Sequence, residues 1–130
     1  MLNSTDAFSS FSVNDLRQAK TFYGQTLGVA LSETPEGLAL SVPGGGKVFI
    51  YPKPNHTPAT FTVLNFQVND LEKTVDGLIA AGIRFEQYSG ELQTDEKGIF
   101  HGSRSNQGPD IAWFKDPAGN ILSVVQVKQG

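Results

Sequence analysis

The pattern of apolar and polar residues is nearly the same in two stretches of the chain. Residues 11–16 read Phe-Ser-Val-Asn-Asp-Leu, and residues 66–71 read Phe-Gln-Val-Asn-Asp-Leu. The alternating apolar residues in each stretch indicate a half-buried β-strand. The Asn-Asp pair that follows offers side-chain oxygens to the free N–H groups at the start of a helix. Two such strand–helix joins predict a duplicated βα unit.

After each join, the chain reads as one helix and three more strands. Leu16, Ala19 and Tyr23 fall on one face of a helix predicted over 15–27. A second helix is predicted over 70–81, and a glycine follows each helix where a left-handed residue can end it. Each half therefore reads β-α-β-β-β. The predicted strands are 8–13, 29–32, 38–42 and 47–51 in the first half, and 61–68, 84–87, 110–114 and 121–127 in the second.

Proline and glycine mark the divisions of the chain. Residues 53–60 form a proline-rich linker, which predicts a single domain made of module one (7–52) and module two (61–127). A glycine-rich turn is predicted at 43–46. Residues 88–109 are polar and rich in glycine, and a loop of that length in a compact domain is usually functional or mobile.

Composition narrows the possible classes of function. The chain has no cysteine, which excludes disulfides, a thiolate nucleophile and Cys-based metal sites. Its ten Lys and Arg residues are scattered and its net charge is −3, so we expect no nucleic-acid partner. No apolar run approaches the length needed to span a bilayer, and the first residues lack the pattern of a secretory signal. We therefore expect a cytoplasmic protein without a membrane partner.

Two βαβββ modules with Val-Asn-Asp-Leu at each join resemble the vicinal oxygen chelate superfamily. Phe22-Tyr23, Leu27-Gly28 and the hairpin sequence Asp-Pro-Ala-Gly-Asn at 116–120 also match its pattern. The superfamily includes glyoxalase I, extradiol dioxygenases, and bleomycin- and fosfomycin-resistance proteins. The resemblance implies an α+β fold in which the sheets of two tandem modules curl into an incomplete barrel around a cavity. It also implies a homodimer.

In this superfamily a divalent metal, where present, is held by His and Glu residues on the first and last strands of each module. The matching positions of this chain carry no imidazole and no carboxylate, and one serine hydroxyl is a poor ligand. We therefore expect no metal and no cofactor, which argues against metal-dependent glyoxalase, dioxygenase and fosfomycin-modifying activities. The four positions are Phe8, Phe49, Val63 and Ser123.

Strand alternation extends this set to a predicted cavity surface that is apolar and aromatic, with a few hydroxyls and amides. Such a surface suits a small organic molecule. The same aromatic side chains could instead fill the barrel and leave no cavity. The predicted ligand-binding residues are Phe8, Ser10, Phe49, Tyr51, Val63, Asn65, Trp113 and Ser123, together with Arg104 from the long loop.

The two histidines are the candidates for a general base. His101 lies in the long loop, where it could reach over the cavity as a proton donor or acceptor, with Arg104 as an anion contact. A solvent-exposed histidine is the simpler interpretation, so His101 is only a weak catalytic candidate. His56 lies in the linker, and we expect it to be solvated.

These observations favour a metal-free protein of the glyoxalase/bleomycin-resistance type that binds a small organic molecule. One alternative is a lyase, isomerase or dioxygenase of the same superfamily that holds a metal through other residues. A second alternative is a structural or interaction module with a filled barrel.

Overall fold

The computed structural model describes residues 1–44 and 46–127 and divides into two compact units, with the boundary after Pro58. Gly45 of the predicted turn and residues 128–130 of the predicted domain lie outside the described residues. Each unit contains one four-stranded sheet and one main helix, so the chain has an α+β fold of two tandem βαβββ modules.

The sheet of the first unit has the strand order β1-β4-β3-β2. The first and last strands are parallel neighbours, and the other pairs are antiparallel. The helix α1 passes directly into a π-helical turn at Phe22–Thr26. The elements are β1 (Ser9–Val13), α1 (Leu16–Thr21), β2 (Ala30–Thr34), β3 (Gly37–Ser41) and β4 (Lys47–Pro52).

The sheet of the second unit repeats this arrangement with the order β5-β8-β7-β6, and β5 and β8 are its parallel pair. Short 3-10 turns at Gly90–Leu92 and Gly102–Ser105 flank its edge strand. The elements are β5 (Thr62–Val68), α2 (Leu71–Ala80), β6 (Ile99–His101), β7 (Asp110–Lys115) and β8 (Ile121–Gln126).

The repeated Asn-Asp sequence caps both helices, as predicted. Asp15 Oδ1 accepts hydrogen bonds from the backbone N–H groups of Arg17 (3.0 Å) and Gln18 (3.1 Å). Asp70 Oδ1 accepts one from the Lys73 N–H at 3.1 Å. Both aspartates have extended backbones, which is the usual geometry of an N-cap. The helix-ending glycines are also confirmed, since Gly28 and Gly82 have φ angles of +73° and +98°.

Each helix covers one face of its own sheet. In the first unit α1 packs on β3 and β4, and in the second α2 packs on β7 and β8. Alternate residues of the strands point to that face and are buried, because a strand presents every second side chain to the same side. These core residues include Phe11, Val13, Leu38, Leu40 and Ile50 in the first unit, and Ala112, Phe114, Leu122 and Val124 in the second.

Three predicted elements differ from the structure. The strand predicted at 84–87 is wrong, because this segment contributes only one isolated bridge, Phe85 to Phe114, and a Glu86 N–H to Trp113 O hydrogen bond of 2.8 Å. The edge strand is β6, which lies inside the stretch predicted as a loop. The first helix loses α geometry after Thr21, since the Leu27 N–H donates to Phe22 O, five residues back.

Among the described residues, every helix is too short or too polar to cross a bilayer.

We predict opposite effects on stability for two Gly→Ala substitutions. A Cβ at Gly37 would stand 2.2 Å from the carbonyl oxygen of Ile50, so Gly37→Ala forces two strands apart. We expect it to lower the free energy of unfolding by about 2–4 kcal/mol.

Gly77 lies within α2 with no atom within 4 Å of an added Cβ. Gly77→Ala should raise the free energy of unfolding by about 0.5–1 kcal/mol.

Urea unfolding of the two variants beside the parent chain measures both changes. A Gly37→Ala protein as stable as the parent would contradict the pairing register of β3 and β4.

Candidate functional site

Three of the predicted ligand-binding residues lie in one row across the second sheet. Asn65 pairs with Ser123, and Ser123 pairs with Trp113. The neighbouring row, which includes Val124 and Ala112, points to the face that α2 covers. Because side chains alternate along each strand, the Asn65 row belongs to the opposite face, which α2 does not cover.

The polar members of this row bond to each other. The Ser123 hydroxyl donates a hydrogen bond to Asn65 Oδ1. Ser123 is fully buried, whereas Asn65 is exposed. Val63 is half-buried and lies at an irregularity of β5, where the register shifts between Thr62 and Leu64. Strand alternation therefore does not carry through this point, and it cannot assign residues 61–63 to a face.

A pocket of about 730 Å³ opens beside Trp113. Its wall is made by the start of β5, by the segment 88–92, and by the strand residues Trp113 and Ile121. Trp113 is the predicted ligand-binding residue that lines it. The complete lining is Thr60, Phe61, Thr62, Tyr88, Ser89, Glu91, Leu92, Trp113 and Ile121.

Aromatic rings dominate this pocket. The Tyr88 and Trp113 ring centroids are 5.6 Å apart and the rings are inclined at 61°. The buried ring of Phe100 supports Trp113 from 6.2 Å. Phe61 is 68% exposed and Leu92 50% exposed, so the pocket presents apolar surface to solvent. Edge-to-face rings with accessible faces form a surface on which a planar or apolar group can pack.

The Tyr88 phenol is protonated at neutral pH. Burial raises its pKa, the negative charge of Glu86 raises it further, and the positive charge of Lys115 lowers it by less. The hydroxyl group therefore acts as a neutral hydrogen-bond donor or acceptor at the pocket.

Hydrogen bonds hold the segment that carries Tyr88 and Leu92. The Tyr88 N–H donates to Thr94 Oγ1 at 2.9 Å, and the Thr94 N–H donates to Tyr88 O at 3.0 Å. Gln87 Nε2 donates to the carbonyl of Glu96 at 2.8 Å. The wall of the pocket is thus a closed loop whose two ends are bonded together.

The loop ends in a cluster of Asp95, His101 and Asp110. His101 Nε2 lies 2.8 Å from Asp95 Oδ2, and Nδ1 lies 3.7 Å from Asp110 Oδ2. Asp95 Oδ1 also accepts the backbone N–H groups of Lys97 and Ile99, each at 2.9 Å. These bonds join the end of the loop to β6.

Both carboxyl groups of this cluster have low pKa values. Burial raises the pKa of Asp95, but hydrogen bonds, the strongest from the Ile99 N–H and the His101 ring, outweigh it and hold the pKa below its ordinary value. Burial likewise raises the pKa of Asp110, but hydrogen bonds from the Ser103 N–H and hydroxyl and the charge of His101 bring that pKa below the ordinary value too. Both groups are therefore ionised at neutral pH.

The structure does not bring His101 or Arg104 to the pocket. His101 is two residues from Ile99, whose partner Ala112 faces α2, so alternation directs His101 to the helix-covered side. Arg104 lies exposed in the turn Gly102–Ser105. Both nitrogens of His101 already face carboxylates, and neither residue lines the space beside Trp113.

The remaining predicted residues form an aromatic row on the first unit. The Phe8 ring meets Phe49 edge-on at 6.5 Å, and Phe49 stacks on Tyr51 at 6.5 Å and 15°. Ser10 pairs with Phe49 across β1 and β4. This row lies on the sheet face opposite Val48 and Ile50, which are buried.

The sequence predicted a solvated His56, but the structure shows it partly buried and hydrogen-bonded. It is half-buried, and its Nδ1 lies 2.6 Å from the hydroxyl oxygen of Ser12. Ser12 pairs with Tyr51, so the linker folds back on the face that carries the aromatic row.

A family model, the Glyoxalase/Bleomycin resistance protein/Dioxygenase superfamily, matches residues 6–124. The chain belongs to this superfamily. No curated protein matches it significantly.

Solved structures of the superfamily show the same fold at low sequence identity. A bleomycin-binding protein complexed with bleomycin has 20% identity and a TM-score of 0.67, covering 96% of this chain and 100% of that one. An antibiotic-binding protein from Streptomyces has 20% identity and a TM-score of 0.62, with 96% and 98% covered. The fosfomycin resistance protein of Listeria monocytogenes has 12% identity and a TM-score of 0.68, with 96% and 94% covered.

The residues at the metal positions that the superfamily pattern implies do not fit a divalent cation. Phe8 and Phe49 pack against each other, and Ser123 gives its hydroxyl hydrogen to Asn65. Val63 has no donor atom. Within residues 1–44 and 46–127, no three His, Asp or Glu side chains are grouped so as to hold a metal ion.

Sequence reasoning missed most of the residues that line the pocket. Tyr88, Glu91 and Leu92 lie in the long polar stretch, where no periodicity predicts which way a side chain points. The one available signal was the aromatic and aliphatic residues in an otherwise polar loop. Phe61 directly precedes β5 and its register shift, so strand alternation does not assign it to a face.

We predict that Asp95 stabilises the fold in a pH-dependent way. Asp95→Ala removes three hydrogen bonds to a carboxylate and should lower the free energy of unfolding by about 1–3 kcal/mol at neutral pH. A carboxyl whose folded pKa is depressed contributes stability above its unfolded pKa of about 4 and loses it as the pH falls through the folded value. The difference between parent and variant should therefore narrow below about pH 4.

Urea unfolding of parent and Asp95→Ala across that range measures the effect, with exposed Asp6→Ala as the control. A stability difference that stays constant with pH would contradict the role of the charged carboxylate.

Proposed function

We propose that this protein binds a small organic molecule in the pocket beside Trp113, without a metal at the superfamily's usual positions. One observation carries the proposal: a space of about 730 Å³ whose lining includes the rings of Phe61, Tyr88 and Trp113. This volume lies within the range of ligand-binding pockets, and mostly apolar walls with a few polar groups are typical of them. The aromatic faces supply contact area, and the threonine hydroxyls and the Tyr88 phenol supply orientation.

The chemistry of the lining favours binding over catalysis. Its described polar groups are hydroxyls, a phenol and one carboxylate, which do not form a nucleophile–base pair. In the unit that carries the pocket, the His101 imidazole is held by two carboxylates on the other face of the sheet. A second depression of about 620 Å³ lies along residues 83–87, but charged side chains make up much of its wall. It is less suited to an apolar ligand.

The functions named for the structural relatives support the same class of ligand. One relative is solved with bleomycin bound, and another is described as an antibiotic-binding protein. Both share this chain's fold over nearly its whole length. A protein of this fold can therefore hold an organic molecule, which supports a binding role for the pocket beside Trp113.

The metal-dependent alternative would require ligands other than those at the superfamily positions. Metal analysis of protein purified without chelator distinguishes it from the proposal. Homodimer formation and a cytoplasmic location stay predictions, and sedimentation measures the first of them.

We predict that Phe61→Ser weakens ligand binding with little loss of stability. Phe61 lines the pocket but is 68% exposed, so its removal costs contact with the ligand more than core packing. Loss of one aromatic contact should reduce affinity roughly tenfold. The measurement is the thermal shift and the fluorescence change of Trp113, the chain's single tryptophan, with bleomycin and a panel of aromatic metabolites.

Leu2→Ser is the matched control, because Leu2 is 78% exposed and does not line the pocket. Chelator treatment should leave binding unchanged. Failure of every compound to shift either signal, or equal affinity in Phe61→Ser, would contradict the proposed function.

A further inference from the structure

The described lining of the pocket carries negative charge and no positive charge. Of its described lining residues, Glu91 alone carries a formal charge at neutral pH, and no lysine, arginine or histidine is among them. Glu91 is exposed, at the second position of the turn Gly90–Leu92, and belongs to the same wall as Tyr88 and Leu92. A ligand that enters therefore meets a carboxylate and no opposing cation.

The basic group whose charge acts on the Tyr88 phenol is Lys115, and it is already paired. Lys115 Nζ lies 3.5 Å from Glu86 Oε1. At the Tyr88 phenol the negative charge of Glu86 has a larger effect than the positive charge of Lys115, because the pKa of Tyr88 is raised more by the first than it is lowered by the second. The charges of Glu86 and Lys115 therefore do not cancel at the phenol, and the negative charge has the larger effect.

The aromatic rings have the same preference. The face of an aromatic ring carries negative charge density, so it attracts a cation and repels an anion. Tryptophan is the strongest ring for this interaction, and Tyr88 and Phe61 add two more rings to the same pocket. Rings and carboxylate together favour positive charge at a site that also offers apolar contact to Leu92 and Ile121.

We propose that the ligand of this pocket is an organic cation: a substituted ammonium or guanidinium group on an apolar or aromatic body. The inference rests on the proposed binding function and adds the charge class of the ligand. The cationic group lies between Glu91 and the rings of Trp113 and Tyr88. The apolar body packs on Phe61, Leu92 and Ile121.

Three probes that share one benzene ring and differ in charge test this assignment: benzyltrimethylammonium, N-benzylacetamide and phenylacetate. Titrations of the intact chain are followed by Trp113 fluorescence and by thermal shift. We expect the cation to bind roughly fivefold to tenfold more tightly than the neutral amide, and the anion to bind most weakly. Added sodium chloride should lower the affinity for the cation and leave the affinity for the amide unchanged, because salt screens only the charged interaction.

Glu91→Gln tests the carboxylate itself. It should weaken the binding of benzyltrimethylammonium and lower its preference over N-benzylacetamide about threefold. Glu36→Gln is the control, because Glu36 is an exposed acid on the β2–β3 turn of the first unit and does not line the pocket.

The outcomes separate this inference from the proposed function. Equal binding of all three probes, tighter binding of phenylacetate, or an unchanged cation affinity in Glu91→Gln would overturn the charge class while leaving ligand binding in place. No signal from any probe, together with no signal from the wider panel, would overturn both.

Discussion

The architecture of each unit depends on one pairing, the parallel contact between its first and last strands. Parallel neighbours cannot be joined by a tight turn. After the first strand the chain therefore crosses to the opposite edge of the sheet, and the remaining strands lead back to the first one. The helix that follows β1 or β5 makes this crossing and covers one face of the sheet. The Asp15 and Asp70 caps mark where the crossing begins. With one helix per sheet, the other face is left for other contacts, and the aromatic residues lie there.

The second unit uses this uncovered face together with an interrupted edge. The chain at Phe85 and Glu86 touches β7 only briefly, leaves the sheet, and returns as β6. The excursion brings Tyr88, Glu91 and Leu92 against Trp113 and so creates the pocket. Asp95 then closes the excursion by bonding to the backbone of β6 and to His101. A break in strand pairing thus produces the pocket, and a half-buried polar cluster holds the far end of the excursion.

At the superfamily's metal positions, this chain carries side chains that do not fit a divalent cation. The positions that correspond to the superfamily's metal ligands carry Phe8, Phe49, Val63 and Ser123 here. Phe8 packs on Phe49, and Ser123 is hydrogen-bonded to Asn65. One sheet face of the first unit carries an aromatic row, and the other face carries the buried core. His56 is bonded to Ser12 on the face with the aromatic row. The fold is that of the superfamily, but the side chains at these positions are mainly aromatic and apolar.

The sequence alone determined the duplicated βα joins, the helix caps, the helix-ending glycines and the parts of the strands that alternate, because each depends on neighbours within a few residues. Alternation also predicted that Asn65 and Ser123 face the cavity, but the pairing that puts Trp113 in the same row came from the structure. The sequence could not locate β6, whose three residues are too short to show a period, or the bulge at Val63. The orientation of Tyr88, Glu91 and Leu92 and the partners of His101 and His56 depend on bonds to residues distant in sequence or outside any regular period. Only the tertiary structure decided those positions.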